Sequence, residues 1–563
     1  MVALPSGSDT TSATTTIATG GGDGSSKVLP FLTRQHVQEW ALLGPPLFAK
    51  PTSPEQLVAL KERKDKMRIL KKHLLELAKL HQCPNISLRR LEEELDRLAQ
   101  PLWNPPSSSS SSADPTDDTQ HHHHHQHGLQ DYQLDNNHPD NIVDHRLQGG
   151  PLLQYLWTPP EDPVHGQTLY LGGEVGSDGH IYCIPGHASR VLQIDTIHNT
   201  IRPIGPTLTT NNGRLYKWLR GIVVGDIIYG LPCHADSVLR IDVATQSITT
   251  LPIPYAECYS DSPEMARSEQ LRDWKYHGGS ICPIDNCIYA IPQAASHVLK
   301  IDPVTETISL VGPAFPGKCK WYGGIVGKSD GAIYGVPQNA AGVLRITPTA
   351  ITMHGDYGTN NHKWHGGAAA ANGVIVSIPA NSDTVLCITP ALTLDGEPTL
   401  TEIGNASIIQ SGRHRSDGKY KYLGAMAGTN GRVYLFPCAS EYVLQVDTVS
   451  MVAKNVGPNL RDAGLEAIHQ NKWQNGLTCL QDQCVYGIPQ SSHTLLRIDC
   501  SNTTPEEDSP DPIVTTWQLP SPRIDCRDKF EGGVITDTGV MYTVPNNHKG
   551  VLRIEPANLQ LTK

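Results

Sequence analysis

One phrase recurs eight times between residues 168 and 563, and it limits the possible fold more than any other feature of the sequence. It reads Lys-Trp-x-Gly-Gly, a gap containing Asp-Gly or Asn-Gly, Ile-Tyr-x-Ile-Pro, and finally Val-Leu-x-Ile-Asp. The period varies from 42 residues (Pro337 to Pro379) to 60 residues (Pro232 to Pro292). A period near 40 to 50 residues with four short strands per copy is typical of β-propellers. The proline of the phrase stands at Pro185, Pro232, Pro292, Pro337, Pro379, Pro437, Pro489 and Pro545.

Each copy divides into four strands, which we call a to d from the propeller axis outward. The Gly-Gly segment predicts strand a, because small residues suit the crowded axis. Asp-Gly or Asn-Gly favours a two-residue hairpin turn, and the apolar alternation ending in Pro predicts strand b. The Val-Leu-x-Ile-Asp segment predicts strand c, and strand d follows a Thr-rich turn. The sequence therefore predicts an all-β, eight-bladed β-propeller over residues 151–563, with a seven-bladed ring as the alternative.

The two ends of the repeat region raise a question about how the ring closes. Only Leu559 to Lys563 remain for strand d of the last copy. Either this short tail suffices, or Leu152 to Trp157, which precede the first copy, complete the eighth blade. The second arrangement would join the ends of the chain and lock the ring.

The residues before the repeats differ sharply in composition. Residues 1–30 are rich in Thr, Ser and Gly, and we predict that they are disordered. Residues 31–104 have leucines at helical spacing and predict an α-helical hairpin, which either packs on the propeller or serves as a partner-binding or dimerising arm. Residues 105–150 are a low-complexity Ser and His segment, predicted to be a linker. The histidine run lacks a packed shell and predicts no specific metal site.

Composition and charge exclude several classes of function. A net charge of −11 argues against a general nucleic-acid binder. No apolar run reaches the roughly 18 residues that span a bilayer, so we predict no membrane partner. The first residues lack the pattern of a secretory signal, which makes the cytoplasm the expected location. Thirteen cysteines, an odd number, favour reduced thiols, although the pairs Cys282–Cys287 and Cys479–Cys484 flank turns and would allow cross-strand disulfides.

The clearest copy of the phrase begins at Lys320-Trp321-Tyr322-Gly323-Gly324. It resembles the repeat of propeller-like proteins from algae and other protists, and more distantly it is similar to the repeats of streptogramin lyases and of gluconolactonase-type propellers. The resemblance covers about residues 168–563 and implies the propeller fold. It implies little about activity, because propellers host unrelated chemistries.

Strand order places the d–a connections and the b–c turns on one face. The d–a connections are long and irregular, so we expect the binding residues on this loop-rich face. A lysine opens the phrase in seven copies, and a closed ring would bring these lysines around one mouth of the channel. Such a ring would attract a phosphate or carboxylate; the alternative is that the lysines and the aromatic residues after them only pack the blades. The lysines are Lys217, Lys275, Lys320, Lys363, Lys421, Lys472 and Lys529.

Two histidines, His277 and His365, immediately precede a Gly pair, and we predict them as ligand-binding residues with the lysines. The alternative is that the histidines are ordinary turn residues. A gluconolactonase-like metal site would need several carboxylates and an Asn on the inner strands. The inner strands offer only Glu174, Arg220, Asn475 and Glu531 near that position, so we predict neither a metal nor a cofactor.

These features favour a non-catalytic binding or scaffold module. Its partner would be a protein segment or a small anionic ligand held on the loop-rich face. The alternative is a small-molecule lyase or hydrolase that uses histidines and lysines at the channel mouth. A purely structural oligomer is a third possibility. The sequence does not identify the ligand.

Overall fold

The computed structural model describes residues 136, 138–210, 213–411, 418–503 and 510–557. The predicted disordered segment (1–30), the predicted helical hairpin (31–104) and most of the predicted linker lie outside the described residues. The end of the predicted linker that is described contains a short strand, β1 (Ile142–Asp144), and two 3-10 helices, Pro139–Asn141 and Arg146–Gln148.

Eight antiparallel sheets form a ring, which is the predicted eight-bladed β-propeller. The a strands are β3 (Tyr170–Val175), β7 (Trp218–Val224), β11 (Tyr276–Ile281), β15 (Trp321–Val326), β19 (Trp364–Ala369), β23 (Tyr422–Ala427), β27 (Trp473–Cys479) and β31 (Phe530–Ile535). The b strands are β4 (Ile181–Pro185), β8 (Ile227–Pro232), β12 (Ile288–Pro292), β16 (Ile333–Pro337), β20 (Ile375–Pro379), β24 (Val433–Pro437), β28 (Cys484–Pro489) and β32 (Met541–Pro545). Blades are numbered 1 to 8 in the order of their a strands.

The outer half of each blade consists of strands c and d. The c strands are β5 (Val191–Asp195), β9 (Ser237–Asp242), β13 (Val298–Asp302), β17 (Val343–Ile346), β21 (Val385–Thr389), β25 (Val443–Asp447), β29 (Thr494–Asp499) and β33 (Val551–Glu555). The d strands of blades 1 to 7 are β6 (Thr200–Ile204), β10 (Ser247–Pro252), β14 (Thr307–Val311), β18 (Ile351–His354), β22 (Thr399–Ile403), β26 (Val452–Val456) and β30 (Ile513–Gln518).

The eighth blade takes its d strand from the beginning of the described chain. Strand β2 (Leu152–Leu156) pairs antiparallel with β33, with Gln154 opposite Arg553, and β1 adds a fifth strand outside it. The structure thus confirms the second arrangement proposed for closure and excludes the seven-bladed alternative. Inner strand β31 also lies beside β3, which completes the circle.

The Gly pair of the phrase explains how eight inner strands fit around one axis. Every a–b pair has a shift in register at this pair, as between Tyr322 and Ile325. A Cβ added to Gly324 would lie 2.7 Å from the Cα of Gly279 in the preceding blade. The inner strands of these two blades therefore approach backbone to backbone, and a larger residue at Gly324 would push them apart.

The aromatic residues that follow the lysines form much of the core between blades. Trp218, Trp321, Trp364 and Trp473 are almost completely buried. The indole Nε1 of Trp321 donates a hydrogen bond of 2.7 Å to the carbonyl of Gly342. A buried indole N–H needs such a partner, so these side chains pack the blades, as the packing interpretation predicts for them.

The d–a connections carry the α-helices of the described residues: α1 (Tyr255–Cys258), α2 (Pro263–Gln270) and α3 (Ala406–Ile409). Helix α2 begins with Ser262 as its N-cap, whose side chain accepts from the amide of Met265, and with Pro263 in its first turn. Across the described chain, these helices are too short and too polar for any of them to span a membrane.

Candidate functional site

The seven lysines of the phrase lie between blades and are buried, each at most 7 % exposed. Six of their ammonium groups donate to a backbone carbonyl in or beside the b–c turn of the preceding blade, often with a second bond to the lysine's own d–a connection. The nearest carbonyl oxygens accept from Lys217 (Ala188, 2.8 Å), Lys275 (Arg272, 2.8 Å), Lys320 (Ala295, 2.9 Å), Lys363 (Gly358, 2.8 Å), Lys421 (Gly418, 2.9 Å), Lys472 (Ser440, 2.7 Å) and Lys529 (Ser491, 3.0 Å).

These contacts determine what the lysine ring is able to do. Burial lowers the pKa of Lys217 and Lys529 to about 8, while carbonyl oxygens stabilise the ammonium form of each lysine. The ammonium group of Lys421 reaches the preceding blade through Asp383, whose carboxylate lies 3.4 Å away. Because the donors are directed at carbonyls inside the blade junctions, the geometry matches the packing interpretation of the lysines. A ring of free charges at the channel mouth is not what the structure shows.

The residue two positions after each lysine lies deeper along the channel. The type of residue at this position differs among the eight blades. His277, Tyr322 and His365, from blades 3 to 5, form a row of rings. The centroid of Tyr322 lies 3.7 Å from that of His277 and 4.2 Å from that of His365. Burial lowers the pKa of His277 well below its usual value and that of His365 to about 4, so both imidazoles are neutral at physiological pH. The structure thus brings together the two predicted histidines, whose ring centroids lie 6.1 Å apart.

Charged side chains occupy the other side of the channel. Arg220 comes from blade 2, Glu174 from blade 1 and Glu531 from blade 8. Burial raises the pKa of Glu174 to about 7 and also raises that of Glu531, while the positive charge of Arg220 acts in the opposite direction on both. The same positive charge lowers the pKa of His277 and His365. Arg220 lies on inner strand β7, which packs beside inner strand β3, the strand that carries Glu174.

Arg220 and Asn475 stand where six copies of the phrase have the first glycine of the pair. Both keep the left-handed backbone that this position adopts in most copies, with φ of 68° for Arg220 and 60° for Asn475. A residue with a Cβ is strained in this region. The amide Nδ2 of Asn475 is also buried without a hydrogen-bond partner in the described structure.

A pocket of about 500 Å³ lies on the loop-rich face, between the d–a connections that lead into blades 3 and 4. Leu271, Trp274, Ala294 and Cys319 supply apolar surface, and Lys318 stands at its edge. Trp274 is 39 % exposed. Its ring lies 4.8 Å from that of Tyr216 and 4.9 Å from that of His234, which hold it in place.

The charges around this pocket are largely paired, with one exception. Arg272 donates to Glu269, and Asp273 accepts from Arg214. Lys318 is exposed, and in the described part of the chain its ammonium group has no hydrogen bond or ion pair. The pocket therefore combines an aromatic wall with one available positive charge.

The described residues contain no group of three or more side chains suited to a metal ion. The twelve cysteines in the described ranges are all free thiols, including Cys479 and Cys484, which are opposite each other in the a–b pairing of blade 7.

Several solved structures resemble this chain distantly. A streptogramin B lyase is 12 % identical over 73 % of this chain and 99 % of that one, with a TM-score of 0.42. A computationally designed protein, Ika8, is 9 % identical over 69 % and 97 % of the two chains, with a TM-score of 0.43. YCF48 bound to D1 peptide is 9 % identical over 71 % and 96 %, with a TM-score of 0.38. A streptogramin lyase is thus among the similar structures, in line with the resemblance noted in the sequence, and at these TM-scores none of the three carries an argument about fold or function.

No protein-family model matches the chain, and the search of curated proteins found no relative.

Sequence reasoning named Glu174, Arg220 and Glu531 only as a set too small for a metal site, and it did not consider Trp274. A usable signal was present for Arg220. Six other copies of the phrase have glycine at the position of Arg220. A residue other than glycine at a position with positive φ indicates a local requirement that outweighs the backbone strain.

Proposed function

We propose that the propeller is a non-catalytic binding module that holds a protein segment in the pocket beside Trp274. The observation that carries this proposal is the exposed indole of Trp274, which forms part of the wall of a pocket of about 500 Å³ on the loop-rich face. The rings of Tyr216 and His234 pack against this indole. The proposal does not use the seven lysines, because carbonyl groups already accept from their ammonium groups.

The pocket's chemistry specifies the segment. Its volume lies in the range of ligand-binding pockets and would accept one large side chain with part of its backbone. Tryptophan and arginine are common anchors of protein interfaces, and here the indole would contact an aromatic or aliphatic side chain. The charge of Lys318 favours a carboxylate next to that anchor. We therefore expect a short peptide with an apolar anchor flanked by Asp or Glu.

A peptide-display selection tests the proposal while the natural partner is still unidentified. Random peptides are selected on the full chain and depleted on Trp274→Ala, and the enriched peptides are synthesised with a fluorophore for anisotropy measurements. We expect micromolar affinity, a loss of at least tenfold in Trp274→Ala because the anchor loses its contact surface, and a smaller loss in Lys318→Ala for acidic peptides. Met353→Ala, which trims an exposed side chain on the outer strand of blade 4, is the matched control.

The outcome separates the proposal from its competitors. Peptides that bind Trp274→Ala as tightly as the parent would show that the pocket is not the binding site. A selection that enriches no peptide dependent on Trp274 would contradict the proposed function altogether. Equal losses in Trp274→Ala and Met353→Ala would point to a general loss of folding, and circular dichroism melts of both variants check for it.

A further inference from the structure

The polar side chains of the axial channel are a second feature, separate from the pocket beside Trp274. They lie on inner strands, two to five residues past the lysine position in each blade. Their neighbours are mostly glycine and apolar residues, as in Gly366-Gly367-Ala368 of blade 5. A charged group in such surroundings costs free energy unless it is paired, so each one requires a physical explanation.

Arg220 is the cation of this group, and packing does not account for it. Among the described residues, its guanidinium makes no hydrogen bond and no salt bridge, and its interactions with Glu174 and Glu531 are electrostatic attractions over a longer range. Its backbone is held at φ 68°. The close approach of Gly172, whose added Cβ would lie 2.9 Å from the Cα of Arg220, shows that the strand has no room to relax.

We propose that Arg220 forms a binding site for a small oxyanion, a carboxylate or a phosphate, in the axial channel. A guanidinium has five N–H donors in a planar fork that matches two oxygens of such an anion. The anion would supply the partners that the described protein residues do not. The site does not depend on the function proposed for the pocket beside Trp274.

The protonation of the two carboxyl groups sets the sign of the field in the channel. His277 and His365 are neutral, and Asp528, near Glu531, is the other acid acting on this group. With Glu174 and Glu531 protonated, Arg220 leaves a net positive charge that attracts an anion. With both ionised, the channel is negative and repels one. Burial raises both carboxyl pKa values, that of Glu174 to about 7, so lowering the pH shifts the channel toward the attractive state.

An internal ion cluster is the competing explanation. In that case Arg220 would serve only to neutralise Glu174 and Glu531. One guanidinium beside two carboxyl groups, with neither in salt-bridge contact, is poor compensation for the partial burial of three ionisable groups. Burial also favours the neutral form of both acids, which weakens their compensation of the charge of Arg220 as the pH falls.

Calorimetric titration of the full chain with sodium acetate, and separately with inorganic phosphate, tests the proposal at constant ionic strength. At pH 6.0 we expect saturable binding with millimolar affinity. At pH 8.5 the affinity should fall at least tenfold, because binding then requires a carboxyl group to take up a proton. The comparison between acetate and phosphate determines which class of oxyanion the channel prefers.

Three variants assign the effect to the site. Arg220→Gly introduces the residue of the other copies, so it should fold, and it should abolish binding of both anions at pH 6.0. Glu174→Gln mimics the protonated acid, so it should retain more of its affinity at pH 8.5 than the parent does. Arg267→Gln, which removes an exposed guanidinium on α2, is the matched control and should bind as the parent does.

The result that overturns the proposal is equally definite. Absence of saturable binding to either anion at pH 6.0, or equal binding by Arg220→Gly and the parent, would show that Arg220 serves only the internal cluster. Equal losses in Arg220→Gly and Arg267→Gln would show that the anions respond to general surface charge.

Discussion

Two rings of side chains, at positions two residues apart in each copy of the phrase, behave in opposite ways. The first ring is the lysine position, which holds lysine in seven blades and Leu169 in the other. The second ring is the channel position, which includes His277, Tyr322 and His365 and differs from blade to blade. The uniform ring is buried and donates to backbone carbonyls, whereas the variable ring faces the channel. In this propeller, the residue that recurs serves the fold, and the residue that departs from the repeat is the better candidate for function.

The exception in the uniform ring supports this division. Leu169 belongs to the junction between blades 8 and 1, where β2 closes the ring. There the b–c turn of blade 8 contains His548, whose imidazole Nδ1 lies 2.9 Å from the carbonyl oxygen of Gly550 and whose ring packs against Tyr155 and Trp157. Strand β2 already ties this junction together by backbone pairing. A lysine is therefore absent at the one junction that another element closes.

The largest effect should come from removing one lysine of the uniform ring. Lys472 is fully buried and donates to the carbonyl of Ser440 at 2.7 Å. Lys472→Met keeps most of the aliphatic length but leaves buried carbonyls without a donor, which costs about 1–3 kcal/mol. We expect the melting temperature to fall by several degrees, as followed by circular dichroism.

Lys318→Met is the matched control for this prediction, because Lys318 is exposed and has no partner in the described residues. It should change the melting temperature by less than a degree. Equal melting temperatures for Lys472→Met and Lys318→Met would mean that the buried lysines contribute nothing to the blade junctions, and the division between the two rings would fail.

A smaller effect should appear in the pH dependence of stability. Burial raises the pKa of Glu174 to about 7 in the folded chain, above its ordinary value of 4.5. Between these pH values the folded state holds the proton more tightly than the unfolded state, so stability falls as pH rises from about 4.5 to 7. One pKa unit corresponds to about 1.4 kcal/mol, and because the side chain is only partly buried, we expect this one group to contribute a loss of about 1 kcal/mol. Glu174→Gln should remove it, which melting curves from pH 5 to pH 8 would show as a shallower decline.

Glu264→Gln, at an exposed position of α2, controls for the loss of one negative charge. Its curve should run parallel to that of the parent. If the curve of Glu174→Gln also runs parallel to the parent, the carboxyl group of Glu174 is solvated in the folded chain, and the channel is not the apolar environment that its neighbours indicate.

The sequence predicted the fold well because the repeat encodes it at several levels. The Gly pair, the turn dipeptides and the proline at the end of strand b each fix one local feature, and all of them point to the same blade. For the closing strand the sequence left two alternatives, the tail Leu559 to Lys563 or the segment Leu152 to Trp157, and the pairing of β2 with β33 selects the second. Because the local sequence pattern and the overall topology agree, few alternative folds were compatible with the sequence.

The candidate site was harder to predict because the repeat does not specify the direction in which each side chain points. The lysine ring suggested an anion site only if the ammonium groups faced solvent, and the sequence does not show the carbonyl groups of the neighbouring blade that accept from them. Trp274 lies in an irregular connection whose conformation has no period. The pocket between two such connections depends on long-range packing, which a single sequence does not reveal.

The smallest effect should come from restoring the repeat at position 220. Arg220 occupies a left-handed conformation that costs a residue with a Cβ about 1–2 kcal/mol. Glycine removes this strain but adds about 0.5–1 kcal/mol of conformational entropy to the unfolded chain, so Arg220→Gly should be neutral or more stable by up to about 1 kcal/mol. Gly278→Ala makes the opposite change at the equivalent position of blade 3, where φ is 82° and the added Cβ would lie 2.9 Å from the carbonyl oxygen of Gly323. Its melting temperature should fall. A clear loss of stability in Arg220→Gly would mean that the arginine holds the blades together, and position 220 would then belong with the uniform ring.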